Sequence, residues 1–330
     1  MPLRALYPPL AGLLPQVEAE MERIATSRLP FIARAATLAV GGRGKRLRPT
    51  LLLLAAEAQQ GGASERAVAY GAIVELLHNC SLIHDDVIDE SDVRRGEKTA
   101  RALFGNKFTV LLGDYLLARS FTRLAEDGSQ QLSLILTQVA AEMAAGNLLE
   151  VFGAGQLISE EQYLQMIWGK TASLYGAAAR LGTYIGGGDE ATADALCQFG
   201  EQFGLAFQIA DDILDLTADE ADTGKPAASD LRERKLTLPV IHALEEATDN
   251  ERALVRGLLT TEPLTDEALD AVRDLIARRH SLDYAWGRVQ GFLDTARAQL
   301  TPLPPSPARD ALHHAVTDAF PLPVLPQAVR

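Results

Sequence analysis

The sequence predicts an all-α fold, and three observations predict it. Ala, Leu, Glu, Gln and Arg dominate the long segments, and alternating Val, Ile and Thr stretches that would make half-buried strands are scarce. The segments read with helical periodicity, and glycine pairs and prolines punctuate them. At 330 residues, 47% hydrophobic and 23% charged, the chain is long enough to bury a large core. Residues 1–330 therefore read as one multi-helix domain, with a core over about 30–300 and a proline-rich tail over about 301–330.

The elements follow in order. MPLRALYPPLAGLLPQ carries Arg4, but Pro8, Pro9 and Pro15 break an apolar run already short for a secretory signal, so it reads as mature protein. A turn at Gly41-Gly42 leads into a basic loop, and Pro49 stands where a first helical turn can start LLLLAAE. After a corner at Gly61-Gly62, the stretch Tyr70 to Ile83 is apolar nearly all round, which puts that helix inside a bundle. Asp127-Gly128 marks another corner. The uncharged stretch from Gly128 to Ala141 spans 14 residues and includes Ser129, Gln130, Gln131, Ser133 and Gln138. A membrane span needs about 20 mostly apolar residues, so no transmembrane helix is expected. A loop at Gly186-Gly187-Gly188 precedes a second all-round apolar helix, Leu196 to Ile209, and Gly224-Lys225-Pro226 makes another loop. In the tail a short helix is expected over Ala308 to Phe320.

Charge narrows the function. With 31 Lys and Arg against 44 Asp and Glu, the formal charge of −13 excludes a general attraction to nucleic acid or anionic membrane. A bound polyanion must find a local basic site. Cys80 and Cys197 lie far apart in apolar surroundings and read as packing thiols, which fits a reducing, cytoplasmic setting.

One pattern carries chemistry. DDxxD occurs in LIHDDVIDE as Asp85, Asp86 and Asp89, and in QIADDILDL as Asp211, Asp212 and Asp215. At about 100° per residue the members of each triplet fall at roughly 0°, 100° and 40°, on one helix face. A lone acidic triplet is usually a solvated stripe. Here both triplets follow apolar helices, so six carboxylates would meet inside a bundle, which is costly unless cations compensate them. Mg²⁺ suits them, because it takes oxygen ligands, one or two carboxylates per ion, and substrate phosphate oxygens. Basic residues stand close by: Lys45, Arg46 and Arg48 in GKRLRP, Arg94 and Arg95 after the first triplet, and Lys225, Arg232, Arg234 and Lys235 after the second. Together they suggest a diphosphate site clamped by Lys and Arg and bridged by metal.

The motifs GKRLRP (44–49), HNCSLIHDDVIDESDVRRG (78–96), GDYLLA (113–118), KTA (170–172), FQIADDILD (207–215) and GKPAASDLRERKLTLPV (224–240) stand in this order. The ordered set resembles the trans-isoprenyl diphosphate synthases, the head-to-tail prenyltransferases, over roughly residues 30 to 300. The resemblance implies a helical bundle around a deep central cavity. It also implies three Mg²⁺ ions held by Asp85, Asp86, Asp89, Asp211, Asp212 and Asp215 around an allylic diphosphate. By the same resemblance Lys45, Arg48, His78 and Arg95 would bind isopentenyl diphosphate, and Arg94, Lys170 and Lys225 the allylic diphosphate. Lys170, Thr171 and Gln208 would face the reacting carbon, with Lys235 nearer the rim.

Ser81 lies four residues before Asp85 on the active face, and Cys80 precedes it; both are small. In this family, small residues there imply an open shaft and a long all-trans product, hexaprenyl to decaprenyl with octaprenyl favoured, of the kind used for quinone side chains. Leu77, Leu117 and Phe121 are candidates for the shaft floor. Geranylgeranyl diphosphate is the shorter alternative. The resemblance further implies a homodimer with transient membrane contact at product release; a subunit active only in a heteromer is the alternative of another class. A terpene cyclase or head-to-head synthase would share the fold, but GKRLRP and Arg95 speak for an isopentenyl diphosphate acceptor site. The chain departs from the family pattern at Arg43, Ala228 and Arg234, where glycines are common, and at Glu150, where glutamine is common.

Overall fold

The computed structural model describes residues 7–41, 44–60, 63–94, 96–217, 228–260 and 265–318. Helices make up most of them, as expected. The chain opens with α1 (Leu10–Ala25), α2 (Pro30–Val40), α3 (Leu47–Gln60) and α4 (Glu65–Ile88). Ser64 starts α4 by accepting the Ala67 amide, and burial continues through most of its 24 residues, including Tyr70, Ile73, Leu76 and Ile83. A hairpin of Val93–Arg94 paired with Glu97–Lys98 interrupts the helices, turning through Gly96 at φ +79°. Then come α5 (Ala100–Phe104), α6 (Asn106–Asp127) and α7 (Gln130–Gly153). The Asp127-Gly128 corner is as expected, with Gly128 ending α6 in the left-handed region.

A capping box of Ser159 and Gln162 starts α8 (Glu160–Ile167), which runs through a π-helical turn, Trp168–Ala172, into α9 (Ser173–Ile185). Next come α10 (Glu190–Thr217), the short α11 (Ser229–Arg232), α12 (Leu238–Glu245), α13 (Asp249–Thr260), α14 (Asp266–Arg278), α15 (Ser281–Ala298) and α16 (Pro307–Asp318). Helix α9 packs on both α3 and α10, and α10 also packs on α15, so α4, α9 and α10 form the middle of the bundle. The expected tail helix begins at Pro307, and its residues 319–320 lie outside the described ones. It docks on α3, burying Ala308, Ala311, Leu312, Ala315 and Val316.

Two findings qualify the expectations. Helix α7 continues past Ala141 to Gly153 and is long and apolar enough to cross a membrane, yet only 22% of its most apolar window is buried. Glu142 and Glu150 interrupt the uncharged stretch without ending the helix. Its inner face packs on protein, and Leu134, Leu148, Leu149, Val151 and Phe152 stand outside. The second finding concerns Ala228 and Arg234, which both adopt the left-handed region, at φ +56° and +63°. That conformation is the physical reason glycine suits those positions. Ala228→Gly and Arg234→Gly are each expected to stabilise the protein by about 1 kcal/mol, offset in part by the freer unfolded chain, as measured by denaturant unfolding.

Candidate active site

One cavity of about 720 Å³ draws its walls from α4, α7, the π turn, α10 and the segments that follow α4 and α10. Lys45, Arg48, His78, Ser81, Asp85, Asp89, Arg94, Lys170, Thr171, Gln208, Asp211, Asp212, Asp215 and Lys235 all line it. Arg95 and Lys225 lie outside the described residues. Asp86 and Cys80 are off the cavity wall. Asp86 stands about 100° round the helix from Asp85, and there it takes a 2.8 Å hydrogen bond from Arg94 Nε on the hairpin. Cys80 is buried in the core instead, where desolvation pushes its thiol up to about 12. The chain-length expectation therefore narrows to Ser81, whose hydroxyl donates to the His78 carbonyl at 2.8 Å.

In the first triplet, Asp85 accepts from Asn147 Nδ2 at 3.1 Å and lies 3.8 Å from Lys170 Nζ. Burial pushes its carboxyl upward, Lys170 opposes this, and Glu150 and Asp89 add to the rise. Asp89 caps α4 and receives Lys235 Nζ at 2.9 Å. In the second triplet Asp211 is exposed to the cavity, whereas Asp212 is buried. Tyr163 donates to Asp212 Oδ2 at 2.6 Å and Gln208 Nε2 to Oδ1 at 2.8 Å. Burial nevertheless pushes Asp212 up to about 7. Tyr163, wholly enclosed beside it, is raised well above its ordinary value by burial and by that carboxylate. Asp215 binds the returning chain, accepting from the Ser229 hydroxyl and, at 3.1 Å, from the Asp230 amide.

The basic residues divide their labour. Arg46 adopts φ +52°, and its buried guanidinium donates to Glu75 at 3.0 Å, Glu18 at 3.1 Å and the Val40 carbonyl at 3.3 Å, with Arg46 and Glu75 themselves part of the cavity wall. It anchors the loop, and its neighbours Lys45 and Arg48 line the cavity. Arg48 lies 4.3 Å over the Tyr175 ring, and its buried Nε has no hydrogen-bond partner among the described residues. A buried donor of this kind fits an anion. Lys170 pairs with Glu150; burial alone would lower its ammonium pKa, but Glu150 and Asp85 reverse the shift. Lys235 meets Glu233 at 2.8 Å and Glu150 at 3.9 Å.

Lys170 and Thr171 owe their places to the π turn. Helix α7 passes so close that a Cβ on Gly146 would lie 2.3 Å from the Lys170 nitrogen, and one on Gly169 would lie 2.9 Å from the Glu142 carbonyl oxygen. Gly146→Ala must push the two backbones apart. It is expected to cost about 1–3 kcal/mol in denaturant unfolding and to reduce turnover by displacing Lys170 and Thr171.

Sequence reasoning missed Asn147 and Tyr163, and singled out Glu150 only as a departure from the family pattern. Asn147 and Glu150 stand three apart on α7 and reach Asp85 and Lys170; a polar pair at helical spacing within an apolar helix was the available signal. Tyr163 gives no local signal, because its partner is 49 residues away.

Among the described residues no three His, Cys, Asp or Glu side chains form a ready-made cage for an ion. The donor set still fits Mg²⁺. Hard carboxylate oxygens of Asp85, Asp89 and Asp211 reach one cavity, which also contains Arg48 and Lys45 for the anion whose oxygens would complete each coordination shell.

A sequence model of the family described as Polyprenyl synthetase matches residues 30–276. The chain belongs to that family. It is thus a prenyltransferase, built on the all-α fold of the polyprenyl synthases. The heptaprenyl diphosphate synthase component 2 of Geobacillus stearothermophilus is 37% identical over 94% of this chain and 96% of its own length. A geranylgeranyl diphosphate synthase of Saccharolobus solfataricus is 38% identical over 80% of this chain and 81% of its own. The crystal structure of a decaprenyl diphosphate synthase from Rhodobacter capsulatus matches this polyprenyl synthetase with a TM-score of 0.90 and 38% identity, covering 96% of this chain and 98% of that one. The products named for these relatives run from geranylgeranyl to decaprenyl, so similarity alone fixes the reaction class and leaves chain length to the cavity.

Proposed function

We propose that this polyprenyl synthetase is a single-domain, Mg²⁺-dependent enzyme that condenses isopentenyl diphosphate with an allylic diphosphate to give a long all-trans polyprenyl diphosphate. The observation that carries this reading is one cavity walled on one side by Asp85 and Asp89, on another by Asp211, and supplied with Lys45, Arg48, His78, Lys170 and Lys235. Asp85, Asp89 and Asp211 would hold the ions, whose charge stabilises the departing diphosphate. Lys170, Lys235 and Arg94 bind the allylic diphosphate; Lys45, Arg48 and His78 hold the second substrate. As the allylic C–O bond breaks, its electron pair leaves with the diphosphate. The π electrons of isopentenyl diphosphate form the new C–C bond, and a proton passes to the departing diphosphate. Thr171 and Gln208 orient oxygen toward the carbon that becomes positive, while Tyr175, Phe207 and Met166 in the cavity wall exclude water.

The small Ser81 on the cavity wall supports a long product, hexaprenyl to decaprenyl, of the quinone side-chain kind. The exposed apolar face of α7 supports a homodimer, since so large a patch is rare on a free monomer. Water-soluble substrates suit a cytoplasmic enzyme, with membrane contact only at release of the apolar product. The test incubates the purified chain with labelled isopentenyl diphosphate, Mg²⁺ and farnesyl or geranylgeranyl diphosphate, then sizes the dephosphorylated products. Chain elongation that stops on removing Mg²⁺ supports the reading; no product from the chain alone would identify a subunit that requires a partner.

A further inference from the structure

A chain of three hydrogen bonds runs from the core to the cavity. The Tyr163 hydroxyl donates to Asp212 Oδ2 at 2.6 Å, Gln208 Nε2 donates to Asp212 Oδ1 at 2.8 Å, and Thr171 Oγ1 donates to Gln208 Oε1 at 2.8 Å. The chain has a direction, and the direction follows from donor and acceptor inventory. Asp212 accepts at both of its oxygens, so the amide of Gln208 turns its NH₂ toward Asp212 and its oxygen toward Thr171. Thr171 has one hydroxyl hydrogen and gives it to that oxygen. Thr171 and Gln208 both line the cavity, and with these bonds made Thr171 presents lone pairs there and no O–H. Lone pairs are the polarity required beside a carbon acquiring positive charge.

Tyr163 supplies the fixed end. It is fully buried, its helix is started by the Ser159 capping box, and its hydroxyl is the only donor shown for Asp212 Oδ2. Without that bond Asp212 keeps a buried oxygen lacking a donor, and the carboxylate can rotate to seek another. Gln208 would then be free to invert its amide, turning Nε2 toward Thr171 and O–H toward the cavity.

We propose that Tyr163 is a positioning residue for the condensation, which acts by fixing Asp212 so that Gln208 and Thr171 keep their oxygen lone pairs directed at the reacting carbon. The proposal rests on the reading of Thr171 and Gln208 as the groups beside that carbon.

The test is steady-state kinetics of the full chain with farnesyl diphosphate, isopentenyl diphosphate and Mg²⁺, using Tyr163→Phe, Gln208→Ala and the double variant. Tyr163→Phe is expected to lower kcat about tenfold while both KM values stay within about twofold, because no substrate contact is lost. In the Gln208→Ala background the same change is expected to cost nothing further, since the group it positions is gone. Calorimetry with inorganic diphosphate and Mg²⁺ is expected to give the parental affinity for Tyr163→Phe. A parental kcat in Tyr163→Phe, an equal loss in both backgrounds, or weakened diphosphate binding would each overturn the proposal. If Gln208→Ala itself turns over at the parental rate, the reading of Gln208 fails and the proposal fails with it; if Gln208→Ala is impaired but Tyr163→Phe is not, only the proposal fails. Should Tyr163→Phe not fold, Asp212→Asn serves in its place. Its amide offers one acceptor and one donor where the carboxylate accepted twice, so Tyr163 and Gln208 cannot both go on donating to it; a lowered kcat is expected and a parental kcat would refute the idea.

Discussion

Asp85→Ala and Asp211→Ala are each expected to lower turnover by about two orders of magnitude or more at saturating Mg²⁺, measured as incorporation of labelled isopentenyl diphosphate. Each substitution removes a hard oxygen ligand that would help hold the ions, whose charge would otherwise offset that of the diphosphate. For Asp85 a second loss adds to the first: Asn147 and Lys170 lose the carboxylate that holds them. Turnover at the parental rate in either variant would refute the metal assignment. The fold should tolerate both changes, because burial of Asp85 among Glu150 and Asp89 already disfavours its charge in the absence of metal.

Ser81→Phe is expected to shorten the product by one or more five-carbon units. The Ser81 side chain lines the cavity one helical turn before Asp85, and its only hydrogen bond shown runs back to the His78 carbonyl, so a phenyl ring there would occupy space and break little. Sizing the dephosphorylated products after extension of a farnesyl primer reads the effect; an unchanged distribution would show that the chain grows along another wall. Cys80 provides the control. It sits one residue away but off the wall, so Cys80→Ser should leave the product distribution as it was.

Where chemistry depends on local spacing, it was legible in the sequence. Asp85 and Asp89, the whole second triplet, the basic loop and Lys170-Thr171 meet in one cavity, as helical spacing of the carboxylates allows. What spacing does not show is tertiary partnership. Asp86 stands off the cavity wall, where the hairpin over residues 93–98 brings Arg94 to it. Arg46 belongs to the basic loop in sequence, and the buried Glu75 across the bundle shows that its guanidinium is engaged within the protein. Helix α7 runs on past Ala141 because Glu142 and Glu150 interrupt the uncharged stretch without ending the helix, and in space Glu150 points inward to Lys170. Ala228 and Arg234 were visible as departures from a glycine pattern, and their positive φ values give that pattern its physical meaning.

The π turn at Trp168–Ala172 has a consequence for insertions and deletions. Such a turn is an α-helix with one residue too many, held there by the close passage of Gly146. Removing a single residue between Ile167 and Ser173 would let α8 and α9 fuse into one regular helix, a gain in local order. Because the bulge absorbs one residue's worth of turn, about 100°, the flanking helices would keep their phase and the change would fall on the residues inside the turn. Lys170 and Thr171 would lose the offset that directs them to Glu150 and Gln208. The polypeptide is therefore one codon from a more regular helix and an incomplete site, and the extra residue is best understood as the device that presents those two side chains.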